Sequence, residues 1–304
     1  MIAAIRTAQL SKRFPGGHGV ESLDLEVPSG SIYGFLGPNG AGKTTTIRLL
    51  LSLLRPDSGR IEIFGNQLTS GNRTALSSIG ALVESPSLYG HLSGRDNLEV
   101  TRRLIGAPKA RIDEVLALVE LTDDAHRRVR HYSLGMKQRL AIALALIGRP
   151  RLLILDEPTN GLDPAGIQDF RALLRRLIAE HGITVFLSSH LLAEVEQIAG
   201  HLAVLNAGRL IFQGSLDELR RRAPPRLRIG CDEPELARRA LAEVGEQADL
   251  EAAEDVVVEL RSRSSVEINR LLVERGLGVH RLVPDTASLE SLFLALTRPT
   301  STVG

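Results

Sequence analysis

The stretch that most constrains this chain is Gly37-Pro38-Asn39-Gly40-Ala41-Gly42-Lys43-Thr44-Thr45, which satisfies the pattern G-x-x-x-x-G-K-[ST] in full. Residues 31–36 before it form a short apolar run that reads as a buried strand, and residues 46–54 after it read as a helix. Strand, glycine loop and helix together turn the pattern into a site. Gly37, Gly40 and Gly42 let successive backbone N–H groups converge on one anion, and the helix adds its positive dipole end. Lys43 supplies a mobile point charge for the outer phosphates, and the Thr44 hydroxyl is suited to hold Mg²⁺. The pattern predicts a nucleoside-triphosphate site.

Such a site needs a core to hold it, and 304 residues give room for about two domains. Lys+Arg 37 against Asp+Glu 36 leaves a net charge of +1, so no strong field calls for nucleic acid. Aromatics at 3% with no Trp leave little for base stacking. The single cysteine, Cys231, excludes an internal disulfide framework and fits a reducing compartment. The first residues carry no long apolar region, so no secretory signal is expected. The most apolar window, residues 140–147, is far too short to span a bilayer and ends at Gly148-Arg149-Pro150. A cytoplasmic protein is expected, with any membrane role supplied by a partner.

Residues 3–10 and 20–27 alternate well enough to be strands joined by a turn at 14–19. Further strands are expected at 60–64 and 79–84, and at 152–155 and 184–187 as continuous apolar runs suited to a buried parallel sheet. From 93 to 119 the periodicity is helical, with Ser93 and Asp96 spaced as a capping box and Pro108 between two runs. Ser133 opens another helix whose Met136, Leu140, Ala143, Leu144 and Ile147 recur on one face. Strands alternating with helices imply an α/β sheet with a helical insertion at roughly 85–150. The charged, proline-containing joint at 220–226 places a boundary between a domain of residues 1–220 and an α+β domain of residues 225–304. In the latter, strands are expected at 227–229, 256–260 and 279–283, and helices at 234–244, 265–275 and 288–297. It carries no glycine loop and no recognisable cluster of titratable residues.

Asp156 and Glu157 end the apolar run Leu152–Leu155. In open α/β sheets ligands sit outside the carboxyl ends of the strands, where the glycine loop also ends. There Asp156 would orient Mg²⁺ through its waters, and Glu157 would polarise the water that attacks the γ-phosphate. In Tyr132-Ser133-Leu134-Gly135-Met136-Lys137-Gln138-Arg139, Ser133 is a good N-cap and Gly135 permits close backbone approach at a helix start. Most Ser-capped helices bind nothing, so this stretch gains weight only beside the others.

In order and spacing, the glycine loop, Tyr132–Arg139, Leu152–Pro158, Gly161-Leu162-Asp163 and Ser188-Ser189-His190 resemble the motif series of ATP-binding-cassette (ABC) ATPases over residues 1 to about 218. Val83–Tyr89, the Tyr-Ser-Leu-Gly-Met signature and the tail Ser288–Leu294 resemble more narrowly the bacterial antibiotic- and bacteriocin-export branch, which includes bacitracin-type and lantibiotic-immunity ATPases. The resemblance implies a P-loop NTPase cassette with a RecA-like core, an antiparallel β subdomain and a helical subdomain. It implies that Phe14 stacks on adenine, that Gly37 to Thr45 cradle ATP, and that Asp156 and Glu157 are the Walker B aspartate and catalytic glutamate. Ser133 and Gly135 would contact the γ-phosphate bound to the opposite subunit, Asp163 would communicate across the dimer, and His190 would sense the γ-phosphate.

Two departures from the family's pattern stand out. Leu134 and Met136 replace a flexible glycine and an amide donor of the signature, so an altered hydrolysis rate is expected. Glu84 stands where most relatives carry a Gln ligand to Mg²⁺, adding charge beside the metal. The resemblance implies an ATPase that pairs with a copy of itself or a homologous subunit and drives a separate membrane permease from the inner face of the membrane. The helical insertion, including the segment after Glu84, would dock that permease. Export is expected over import. A soluble relative acting on ribosomes or DNA is the competing reading, opposed by the single phosphate loop, the absence of sustained heptads and the near-neutral charge.

Overall fold

The computed structural model describes residues 3–69, 71–83, 87–221, 225–251, 255–260, 262–285, 292, 293 and 296. It divides into two compact units, Met1–Leu216 and Asp217–Gly304. Glu84 and the expected helix 288–297, apart from residues 292, 293 and 296, lie outside the described residues.

In the first unit, β1 (Ala3–Arg13) pairs antiparallel with β2 (Gly19–Leu23), β3 (Glu26–Pro28) and β5 (Ser58–Ile63), and β5 with β6 (Asn66–Gln67). The second sheet runs in the order β11 (Arg209–Ser215), β10 (His201–Asn206), β4 (Ile32–Leu36), β9 (Thr184–Ser189), β8 (Leu152–Asp156), β7 (Ile79–Leu82). Only β11 is antiparallel to its neighbour. Every residue of β4, β8 and β9 is buried, as expected of parallel strands covered on both faces.

Helix α1 (Lys43–Leu50) leaves the carboxyl end of β4 and buries Ile47, Leu49 and Leu50 in a core shared with Ile5 and Ile63 of the first sheet and Phe35, Ile154 and Phe186 of the second. It starts earlier and stops sooner than the apolar run predicts. Glycine 42, with φ +107°, is its N-cap, and Ser52, with φ +56°, turns the chain out of helix. The two helices expected between 93 and 119 are α2 (Gly94–Ile105), opened by the Ser93–Asp96 capping box, and α3 (Ala110–Leu118). Helix α4 (Leu134–Leu146) corrects the single-face reading. It buries Leu140, Ala141, Ile142, Ala143 and Leu146 because it is enclosed by β7, α2, α3 and the long helix α5 (Pro164–His181). Helix α6 (Leu192–Glu196) follows β9, and α7 (Leu216–Arg221) begins at the end of the first unit.

The second unit runs β12 (Arg226–Cys231), α8 (Pro234–Glu243), β13 (Gln247–Glu251), β14 (Asp255–Glu259), α9 (Ser265–Glu274), β15 (Val279–Asp285). Its antiparallel order, β13-β14-β12-β15, is that of a split β-α-β, ferredoxin-like unit. Strand β13 is absent from the sequence reading because Gln247-Ala248-Asp249-Leu250-Glu251 is an edge strand with few β-branched residues. Ile229, Leu241, Val256, Val258, Ile268 and Leu272 form its core together with Cys231. Burial pushes the Cys231 thiol above its ordinary pKa, as for an unreactive packing residue.

One glycine governs how close α6 approaches the second sheet. A Cβ on Gly34 of β4 would lie 2.1 Å from Cγ1 of Val195, itself fully buried. Gly34→Ala is therefore expected to cost about 1–3 kcal/mol by forcing β4 and α6 apart, read as a lowered urea-unfolding midpoint of the full chain.

Candidate nucleotide site

The site follows from strand order. Because β9 lies between β4 and β8, the carboxyl ends of all three are adjacent, with Leu36 opposite Ser189 and Asp156 opposite Ser188. The glycine loop leaves β4, Asp156 and Glu157 end β8, and His190 follows β9. Close packing explains the loop glycines. A Cβ on Gly37 would meet the Leu205 carbonyl oxygen at 2.5 Å, and one on Gly42 would meet Cγ1 of Val20 at 2.8 Å and the Gly19 carbonyl oxygen at 2.9 Å. Within the loop the Ala41 N–H donates to the Pro38 carbonyl at 3.1 Å, while Gly40 takes φ +80°. Asn39 and Gly40 lie at the exposed tip, and Thr45 is half-buried on α1.

Asp156 is held by two hydroxyls. Thr44 Oγ1 donates to Oδ2 at 2.9 Å and Ser188 Oγ donates to Oδ1 at 2.6 Å, while the Glu157 N–H donates to Ser188 Oγ at 3.0 Å. Lys43 Nζ, almost fully buried, donates to the Gly37 carbonyl at 2.8 Å and pairs with Glu157 Oε1 at 3.2 Å. His190 Nδ1 lies 2.5 Å from Glu157 Oε2. An ionised carboxylate only accepts, so Nδ1 carries the proton.

Burial raises the Glu157 carboxyl pKa, but the His190 hydrogen bond and the Lys43 charge outweigh it and hold the group below the ordinary carboxylate range. Its backbone is left-handed, φ +49°, a conformation that costs a non-glycine residue about 1–3 kcal/mol and persists only where its surroundings over-determine it. Thr44 Oγ1 and Asp156 Oδ2 form a hard-oxygen pair of the kind Mg²⁺ takes when substrate phosphates supply further ligands. Among the described residues no cluster of three or more His, Cys, Asp or Glu side chains is placed to hold a metal alone.

Phe14 sits beside the loop rather than in it. It lines a cavity of about 300 Å³ with Arg13, His18, Gly19 and Gly208, and its ring is partly exposed, with Lys12 Nζ 5.9 Å from the centroid. Ser133 and Gly135 are at a different helix start. Ser133 caps α4 by accepting the Met136 N–H at 3.2 Å, and a Cβ on Gly135 would meet nothing closer than Ser133 Oγ at 4.0 Å. Asp163 caps α5, accepting the Gly166 N–H at 2.9 Å. Lys43, Thr44, Asp156, Glu157 and His190 are thus brought together, whereas Ser133 and Gly135 lie at the start of α4 and Asp163 at the start of α5. Ser188 is a site residue that its motif does not single out, since only its place in Ser188-Ser189-His190 marks it before its bonds to Asp156 and Glu157 are seen.

A glycine loop between a buried strand and a helix, with a carboxylate pair ending a parallel strand one place removed in the same sheet, defines a P-loop nucleoside triphosphatase. The ABC transporter family model matches residues 20–160. The chain is 41% identical over 299 residues to the bacitracin transport ATP-binding protein BcrA of Bacillus licheniformis, covering 97% of this chain and 98% of that one. It is 38% identical to the daunorubicin resistance ATP-binding protein DrrA3 of Streptomyces coeruleorubidus, covering 98% and 93%. It is 41% identical to the lantibiotic transport ATP-binding protein SrtF of Streptococcus pyogenes, covering 65% and 85%. A solved ATP-binding subunit of an ABC transporter superposes with TM-score 0.64 at 30% identity, covering 72% of this chain and 92% of that one. The chain belongs to the ABC transporter ATPases, and its activity is ATP hydrolysis coupled to transport.

The electrostatics of Glu157 carry a test. A depressed carboxyl contributes stability that is present above the ordinary carboxylate range and lost as pH falls through its lowered pKa. In His190→Ala the strongest opposing contact is gone while burial remains, so the Glu157 titration, followed by the side-chain carboxyl ¹³C shift, is expected to move upward.

Proposed function

We propose that this chain is the ATP-hydrolysing subunit of a bacterial antibiotic exporter, with Glu157 as the group that takes the proton of the attacking water. The observation carrying this reading is the Glu157 carboxylate itself, ionised below its usual range and held between Lys43 and His190. Water oxygen bonds to the γ-phosphorus, the bond to the ADP oxygen breaks, and Glu157 accepts the water proton. His190 orients the carboxylate through Nδ1. Lys43 is shared, because incoming phosphate oxygens compete with Glu157 for its ammonium. The backbone of Gly37 to Thr45 holds the phosphates, with Phe14 against the base.

Mg²⁺ would be held by Thr44, through Asp156, and by Glu84, and would neutralise charge on the phosphate oxygens. Two copies, or this chain and a homologous subunit, would enclose two ATP molecules. Ser133 and Gly135 of one would meet the γ-phosphate on the other, with Asp163 at the seam. Closing and reopening that pair would bias the conformation of a separate permease docked on the helical region, which keeps the chain at the inner face of the membrane. The relatives named for bacitracin, daunorubicin and lantibiotics support an antibiotic or similar hydrophobic compound as cargo. No helix among the described residues is long and apolar enough to cross a membrane, which agrees with a separate permease. Residues 225–304 would form an accessory domain in addition to an ATP-binding domain of residues 1–220.

Glu157→Gln is expected to bind ATP, lose about 10²–10⁴-fold in turnover and elute from a sizing column as an ATP-dependent pair. Near-normal turnover would remove Glu157 from its role. Copurification from native membranes is expected to recover a polytopic membrane protein that is lost when residues 85–100 are altered. Ribosomes or DNA in its place would overturn the exporter reading.

A further inference from the structure

Past Glu157 the chain turns back at once. The Asn160 N–H donates to the Glu157 carbonyl at 3.2 Å, and the Leu162 N–H to the Thr159 carbonyl at 3.1 Å. Two side chains from other elements grip the dipeptide in between. From α4, Gln138 Nε2 donates to the Pro158 carbonyl at 2.6 Å. From α6, a single oxygen of Glu194, Oε2, accepts the Thr159 hydroxyl at 2.7 Å and the Ser189 hydroxyl at 3.0 Å. The start of α4 also touches this turn, since a Cβ on Gly161 would lie 3.1 Å from Cδ2 of Leu134.

We infer that Gln138 and Glu194 are positioning residues that clamp Pro158–Thr159 and thereby hold Glu157 in its left-handed conformation, aimed at Lys43 and His190. The inference rests on the reading of Glu157 given above. Gln138 is the polar member of an otherwise apolar set of buried α4 residues, and a buried amide is costly unless it is hydrogen-bonded. A leucine would pack there without that cost, but it would leave the Pro158 carbonyl without its donor. The same helix begins at Ser133, so a displacement of the signature helix pulls on the residue next to Glu157. Glu194 works from the other side. It ties the dipeptide to Ser189, the residue before His190, so that carboxylate and histidine keep one spacing.

The test uses the full chain carrying Gln138→Leu, Glu194→Ala, Glu194→Gln, Thr159→Val or Glu157→Gln. Phosphate release gives kcat and KM, and a fluorescent ATP analogue gives nucleotide affinity. Gln138→Leu and Glu194→Ala are expected to lower kcat about 10–100-fold, because a displacement of about 1 Å is enough for that. Affinity is expected to stay within about threefold, since binding belongs to the glycine loop. Glu194→Gln keeps an acceptor oxygen and is expected to restore most of kcat. Thr159→Val removes the same contact from its donor side and is expected to reproduce the kcat loss, even if Glu194→Ala does not fold. Unchanged kcat in Gln138→Leu and Thr159→Val, with Glu157→Gln inactive, would overturn the clamp and leave the Glu157 reading standing. Affinity falling in step with kcat, with no rescue by Glu194→Gln, would also overturn it. Normal turnover in Glu157→Gln would remove both.

Discussion

The carboxylate of Asp156 joins three parts of the site that come from distant points in the chain. It accepts the Thr44 hydroxyl from the phosphate-loop helix and the Ser188 hydroxyl from the neighbouring strand. Ser188 in turn accepts the Glu157 N–H. Each such bond is worth only about 1–3 kcal/mol net, more for a charged acceptor than a neutral one. Their effect is geometric, since together they set where the loop, the Glu157 backbone and the β9 end lie relative to one another. The parallel sheet makes this possible, because neighbouring strands in parallel bring their carboxyl ends to one edge.

Charge in this site is balanced locally. Lys43 is buried, yet its ammonium has carbonyl and carboxylate partners at once. Glu157 is partly buried, yet it stays ionised because Lys43 and His190 offset its desolvation. A buried cation and a partly buried anion would each be costly alone. Paired, they tolerate burial.

Much of this was legible in the sequence. Gly37 to Thr45 announce a phosphate loop because few other spacings of glycine and lysine suit that backbone. Leu152 to Glu157 announce a buried strand ending in carboxylates, and Ser93 with Asp96 announces a helix start. Other parts were hidden. Strand β13 is polar because it lies at a sheet edge, where pairing rather than side-chain type makes the strand. Helix α4 reads as one-sided through Met136, Leu140, Ala143, Leu144 and Ile147, yet Ala141 and Ile142 are buried too, because enclosure by neighbouring elements leaves no mark on the period of one face. Glu194 is a glutamate on a short helix, and nothing in its neighbours marks it until Thr159 and Ser189 are seen to converge on it.

By itself the sequence determined the chemistry on offer: a glycine loop with a lysine suited to phosphate, carboxylates suited to accept a proton, and the family that the order of motifs resembles. These depend on residue type and short spacing, and short spacing is local geometry. The tertiary structure alone decided which of them meet. It brought Lys43 and His190 to Glu157 and Thr44 to Asp156, kept Ser133, Gly135 and Asp163 on separate helix starts, and put Glu157 in a backbone conformation its residue type disfavours. The Lys43–Glu157 and Thr44–Asp156 contacts join residues more than a hundred positions apart, and only strand order and packing determine them.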